Sequence, residues 1–191
     1  RGVVGRPLDG VEERIVDPDS GDTLDSGHDG EIRMRGDNIM VGYYKDPDAT
    51  AAAFDEDGFF KTGDMGQLSS DGFLSITGRI KEMLIIGGEN VFPREIEDVL
   101  RRHPDVHDAA VIGMQDPMRG EVALAFVELE EEAKVTSAEL RKYCNGPLSP
   151  FKVPREVRII DALPRNPTGK IMRRALSVDA AKTEEPADAS G

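Results

Sequence analysis

Gly78-Arg79-Ile80-Lys81-Glu82-Met83-Leu84-Ile85-Ile86-Gly87-Gly88-Glu89-Asn90-Val91-Phe92-Pro93-Arg94-Glu95-Ile96-Glu97 is where the pattern of this chain changes. Before it, residues 1 to 78 read as short strands broken by turns; after it, strands alternate with helices. Met83 to Ile86 is an apolar strand. Pro in the first turn, early acidic residues, and Ile96, Val99 and Leu100 at helical spacing predict a helix over Pro93 to Arg102, ended by His103-Pro104. Toward the N-terminus, Val11 to Val16, Ile32 to Arg35 and Phe73 to Ile76 read as strands, and only Asp48 to Phe54 looks helical. Asp-Gly pairs at 9-10, 29-30, 57-58 and 71-72 mark turns. Toward the C-terminus, Val106 to Met114, Glu121 to Leu129 and Val157 to Ile160 are strand candidates; Ser137 to Cys144 is a helix with Ser137 as its cap, and a basic helix starts at Met172. The class is therefore α+β: a small, β-rich, barrel-like part over 1–78, then a compact α+β domain over 79–178 with a short central sheet flanked by helices. Residues 179–191 carry no apolar period and are expected to be a disordered acidic tail.

Composition narrows the function classes. A chain of 191 residues with 38% hydrophobic content has enough apolar material for cores. Its formal net charge of −13 argues against wholesale attraction to nucleic acid or to an anionic membrane surface. One cysteine, Cys144, excludes an internal disulfide and fits a reducing, cytoplasmic compartment; its role is packing. No apolar run reaches the roughly 18 residues of a membrane span. No metal site is expected. The acidic run from Glu128 to Glu132 is a solvated strand end, and Pro104 between His103 and His107 removes the helical geometry that a zinc pair needs.

Chemistry concentrates in Pro164-Arg165-Asn166-Pro167-Thr168-Gly169-Lys170, where two prolines limit the loop, Gly169 permits close backbone approach, and Lys170 offers a compact charge with three donors. Taken alone it reads equally as a solvated turn. It is not a nucleotide P-loop, because the earlier glycine is absent and Ile171 stands where Ser or Thr would meet magnesium. Asp64, after Thr62-Gly63, reads either as a carboxylate presented by a tight turn or as one capping its own turn, and Arg79 as a ligand contact or a surface charge.

Taken in order, Gly30-Glu31-Ile32-Arg33-Met34-Arg35-Gly36, Gly42-Tyr43-Tyr44, Lys61-Thr62-Gly63-Asp64-Met65-Gly66, the run from Gly78 to Glu97 and the Lys170 loop make the chain resemble the C-terminal part of the adenylate-forming ligases, closest in flavour to AMP-forming acyl-CoA synthetases. The family's phosphate-gripping loop and its Tyr-Gly-x-Thr-Glu segment are not found here, and the chain opens with Arg1, so it is expected to be a C-terminal fragment whose partner is the missing N-terminal portion. The resemblance implies Lys170 as the catalytic lysine that bonds carboxylate and phosphate oxygens. It implies Asp64, Arg79 and Asn90 as ATP or AMP contacts, Lys81 as the hinge, and Gly87, Gly88 and Glu89 as the loop flanking the pantetheine arm of coenzyme A. The implied substrates are a carboxylic acid, ATP and CoA, with Mg2+ ligands in the missing portion.

Relatives resembling coumarate ligases carry lysines near positions 85 and 87, where this chain has Ile85 and Gly87, and often Gln where it has Asn90. The Ile86 to Glu97 form looks more like fatty or general acyl-CoA synthetases. The expected function is thus a fatty-acid CoA ligase working through an acyl-adenylate, the fragment alone being inactive. Two alternatives stand beside it: an adenylating domain that loads an acyl carrier protein, and a non-catalytic binding or regulatory module. The acid itself and the oligomeric state are not legible.

Overall fold

The computed structural model describes residues 3–177, so the expected tail over 179–191 lies outside the described residues. The chain forms two compact units, Arg1–Lys81 and Glu82–Gly191, the division falling at Lys81 rather than at Gly78.

The first unit is a five-stranded antiparallel sheet. Its strands are β1 (Val3–Gly5), β2 (Glu12–Val16), β3 (Gly30–Arg35), β4 (Phe60–Leu68) and β5 (Leu74–Arg79), in the order β1-β5-β4-β3-β2. Helix α1 (Pro47–Ala53) starts where the Asp46 carboxylate accepts from the Ala49 amide at 2.9 Å. Alternation along the strands sends Ile15, Ile32 and Leu74 into one core, with Leu24, Met34, Leu68 and Ile76 packed on it. Among the described residues no pairing joins β1 to β2, so the barrel-like form expected here takes the shape of an open sheet. Beside that core lies a polar one. Asp55 accepts from Arg14 at 2.7 Å and Arg33 at 3.0 Å, Glu31 accepts from Arg33 at 3.0 Å, and the Arg14 and Arg35 guanidinium groups lie over the Phe59 ring.

In the second unit the strands are β6 (Leu84–Ile86), β7 (Glu89–Val91), β8 (Val106–Asp116), β9 (Gly120–Leu129) and β10 (Glu156–Ile160), with helices α2 (Pro93–Leu100) and α3 (Ser137–Cys144). β9 is the centre. One edge pairs antiparallel with β8 from Val106↔Leu129 to Asp116↔Gly120; the other carries β10, in parallel, and the end of β6. Ala123, Ala125 and Val127 face α2 and α3 in a core with Ile96, Leu100, Leu140 and Cys144. Leu124 and Phe126 point the opposite way, against Leu163 and Leu176. A strand covered on both faces is apolar throughout, as β9 is from Val122 to Val127.

Two local expectations are corrected. The cap of α3 is Thr136, not Ser137: the Thr136 hydroxyl accepts from the Glu139 amide at 3.3 Å while the Glu139 carboxylate accepts from the Thr136 amide at 2.9 Å. That reciprocal box needs an acid three residues after the cap, and Glu139 fixes the start. The basic helix expected from Met172 is one 3-10 turn, Arg173–Ala175. Leu163, Ile171 and Leu176 must all reach the outer face of β8 and β9, and their spacing suits extended chain rather than helix.

Candidate functional site

Lys170 closes a hairpin-like loop based on the isolated bridge Arg165↔Ile171. Asn166 organises it. Its side-chain oxygen accepts from the Thr168 amide at 3.0 Å, the Thr168 hydroxyl at 2.8 Å and the Lys170 amide at 2.9 Å, and its own amide donates to the Lys170 carbonyl at 2.9 Å. Gly169 takes φ +83°, which a side chain would strain. The loop is anchored by Arg165, which donates to the Gly169 carbonyl at 3.2 Å and to Asp108 at 2.7 Å. Burial would raise the Asp108 carboxyl, but bonds from Arg165, the Ala109 amide and Arg101 hold it below the usual carboxylate range. Lys170 itself is exposed, and among the described residues no ion pair engages its ammonium.

Gly87 and Gly88 form the two-residue loop of the β6–β7 hairpin, whose last pair is Ile86↔Glu89. Both have positive φ, +62° and +88°, the requirement of the tight turn whose twist matches the strands. The Gly87 amide donates to the Arg119 carbonyl at 3.0 Å, and Glu121 accepts from the Ile85 amide at 2.9 Å. Glu89 and Asn90 belong to β7 and are exposed. This hairpin is fastened at the Asp116–Gly120 end of the β8–β9 ribbon, whereas the Lys170 loop is fastened to Asp108 near the other end. Eight residues of strand separate Asp108 from Asp116, about 25 Å at the usual rise.

Asp64 does not sit in the tight turn expected of it. It lies in β4, directly opposite Arg79 of β5, with its Oδ1 2.6 Å from the Arg79 Nε. The sequence shows a turn because β4 is irregular there: Glu31 pairs with Met65 and Arg33 with Lys61, so extra residues bulge out between them. Thr62 stitches the bulge by donating to the Ile32 carbonyl at 2.7 Å and accepting from the Asp64 amide at 3.1 Å, and buried Glu31 accepts from the Gly63 amide at 3.3 Å. Lys81 lies exposed in the 3-10 turn Ile80–Glu82, at the division between the two units.

The structure therefore pairs Asp64 with Arg79, puts Gly87, Gly88, Glu89 and Asn90 on one hairpin, and holds Lys170 at the far end of the ribbon. Sequence reasoning missed Asn166, whose signal was an Asn two residues before a Thr-Gly turn. It also missed the union of Arg173 with Glu97, a glutamate that falls on the apolar face of α2 and so required a partner. Cys144 is fully buried, and burial pushes its thiol up to about 11, so it is inert packing.

Residues 95–170 match the model of the AMP-binding enzyme C-terminal domain. The chain is 45% identical to sulfoacetate–CoA ligase of Cupriavidus necator over 92% of its own length and 34% of that protein's. It is 41% identical to 2-succinylbenzoate–CoA ligase of Geobacillus kaustophilus, over 96% and 37%. Among solved structures, o-succinylbenzoate CoA synthetase from Bacillus subtilis with its acyl-adenylate matches with a TM-score of 0.87 at 38% identity, over 96% of this chain and 37% of that one. MatB from Rhodopseudomonas palustris matches at 0.86 in its ATP-bound form and 0.72 in its apo form, at 38% and 39% identity, each over 91% of this chain and 35% of MatB. The chain thus spans about a third of the length of the relatives it matches. By motif order, by fold and by sequence over nine-tenths of its length the chain is similar to adenylate-forming enzymes, and its residues 95–170 match the AMP-binding enzyme C-terminal domain.

Proposed function

We propose that this chain supplies the hinge and the mobile C-terminal domain of an AMP-forming acid–CoA ligase, together with part of the preceding sheet. In the first step a carboxylate oxygen attacks the α-phosphorus of ATP and pyrophosphate leaves, giving an acyl-adenylate; in the second the CoA thiol attacks the acyl carbon and AMP leaves. The observation that carries this reading is the separation of the Lys170 loop from the Gly87-Gly88 hairpin, fastened about 25 Å apart along one ribbon. One active site meets both only in turn. Rotation about Lys81 then brings Lys170 to the nucleotide for the first step and the hairpin to it for the second. The difference between the apo and ATP-bound MatB matches, over the same share of this chain, supports a region that changes arrangement.

In this reading the Lys170 ammonium, presented on a loop braced by Asn166, neutralises charge as two anions approach. Asp64 accepts the ribose hydroxyls, and Arg79 holds its carboxylate in place and faces the same nucleotide. Asn90 lies on the hairpin beside Glu89, with Gly87 and Gly88 flanking the pantetheine arm. Among the described residues no three His, Cys, Asp or Glu side chains gather to hold a metal, so no step is assigned to Mg2+ here. We also propose a cytoplasmic setting, where ATP and CoA are at hand; among the described residues no helix is long and apolar enough to cross a membrane. The Ile86 to Glu97 form favours fatty or general acyl acids within the family.

The test is ATP–pyrophosphate exchange by the whole protein across carboxylic acids, fatty acids included, followed by supply of CoA or holo carrier protein to preformed adenylate. Lys170→Ala is expected to lose exchange by about a hundredfold or more while still forming thioester from supplied adenylate. Unchanged exchange in that variant overturns the assignment. Transfer to carrier protein in place of CoA changes the acceptor.

A further inference from the structure

Building on that two-step reading, we propose that Arg173 is a positioning residue: it ties the Lys170 loop to the first residue past the hinge, so that turning about Lys81 carries Lys170 with it as one piece. Glu97 of α2 is 2% exposed. Its Oε1 accepts from the Val111 amide at 2.9 Å and from Arg173 Nη2 at 2.8 Å, and its Oε2 accepts from the same Nη2 at 2.9 Å. The other arm of the guanidinium, Nη1, reaches Glu82 at 3.2 Å. Arg173 stands three positions after Lys170, and Glu82 immediately follows Lys81. A buried carboxylate is costly to keep, and packing alone would be served as well by an apolar side chain of similar volume. What a planar fork adds is two directed attachments at once, one to α2 and one to the hinge side. With Arg165 bound to Asp108 before the loop and Arg173 bound to Glu97 and Glu82 after it, the lysine is pinned from both flanks.

The experiment measures both half-reactions, pyrophosphate exchange and thioester formation from supplied acyl-adenylate, in the whole protein bearing Arg173→Gln or Glu82→Gln, with Lys170→Ala alongside. Arg173→Gln leaves Glu97 its Val111 amide and the Arg101 guanidinium at 3.7 Å, so the fold is expected to persist. Misplacement of a catalytic group by about an ångström costs up to about a hundredfold, and exchange is expected to fall by about ten- to a hundredfold while thioester formation stays within about twofold. Glu82→Gln spares the buried pair and removes only the hinge attachment; exchange is expected to fall about two- to fivefold with the same split. If Arg173→Gln does not fold, Glu82→Gln decides on that split. Equal losses in both half-reactions, or none in either while Lys170→Ala still abolishes exchange, overturn the positioning role alone. Retained exchange in Lys170→Ala overturns the two-step reading and this inference with it.

Discussion

Replacing Asp55 by Asn tests whether the polar cluster of the first unit holds that unit together. Burial alone would raise the Asp55 carboxyl, yet bonds from Arg14, the Phe59 amide and Arg33 bring it down to about 2 from the ordinary 3.8. The side chain is 10% exposed, so solvent screens little of this. That displacement corresponds to roughly 2 kcal/mol of folding stability at neutral pH. The folded value is depressed, so the contribution is complete above pH 4 and disappears as pH falls toward 2. In Asp55→Asn the amide oxygen still accepts from the Phe59 and Asp57 amides, but its NH2 turns toward two cations. The variant is therefore expected to be about 2 kcal/mol less stable at pH 7, and the gap from wild type should close between about pH 4 and pH 2. Urea unfolding followed by the NMR signals of β3 and β4 amides, at pH 7, 4 and 2.5, reads this directly. Other depressed carboxylates such as Asp17 and Asp116 act in both proteins and cancel in the difference. A gap that stays constant over that range would refute the reasoning, since it would mean that Asp55 contributes through shape rather than charge.

Gly88→Ala places a side chain at φ +88° in a two-residue hairpin loop and is expected to cost about 1 kcal/mol and to slow thioester formation more than pyrophosphate exchange; thermal melting and the two half-reactions check both parts. Cys144, with its thiol pushed up to about 11 and no exposure, is expected to resist an aromatic disulfide reagent at pH 8 until denaturant is added; stoichiometric release of chromophore from the native protein would contradict it.

The strands and helices that carry a period were legible. Ile96, Val99 and Leu100 gave α2, and the apolar run of β9 announced a strand covered on both faces. β4 was not, because its bulge at Thr62 to Asp64 places a positive-φ glycine inside a strand, and locally that is indistinguishable from a turn. The last helix failed for a related reason: a basic stretch with good helix formers was overruled by the need to extend Ile171 and Leu176 across β8 and β9. Within the site, Asp64, Arg79, Gly87 and Lys170 were named from motif order. Their pairing and their supports were not, because bonds between distant positions such as Arg173 to Glu97 or Thr62 to Ile32 leave no periodic trace.

On the proposed reading this acidic stretch, of net charge −13, helps bring anionic reactants to one place, and the distribution of its cations bears on how the second unit contributes. Three of its arginines are committed to carboxylates: Arg101 to Asp98 and Asp108, Arg165 to Asp108, Arg173 to Glu97 and Glu82. Lys170 is exposed, and among the described residues it has no ion pair. An anion approaching that loop therefore meets a cation that is not already neutralised, on a backbone whose conformation is set beforehand by Asn166. On the proposed reading these paired arginines do the fixing and the lysine is left to act, which lowers the ordering cost of meeting a transition state. The same proposal accounts for glycines in the hairpin: a bare backbone turn with φ of +62° and +88° leaves, for a thin, neutral pantetheine arm, room that a charged side chain would fill. In that proposal two ends of one ribbon, one charged and one bare, serve two reactions that need opposite things from the same active site.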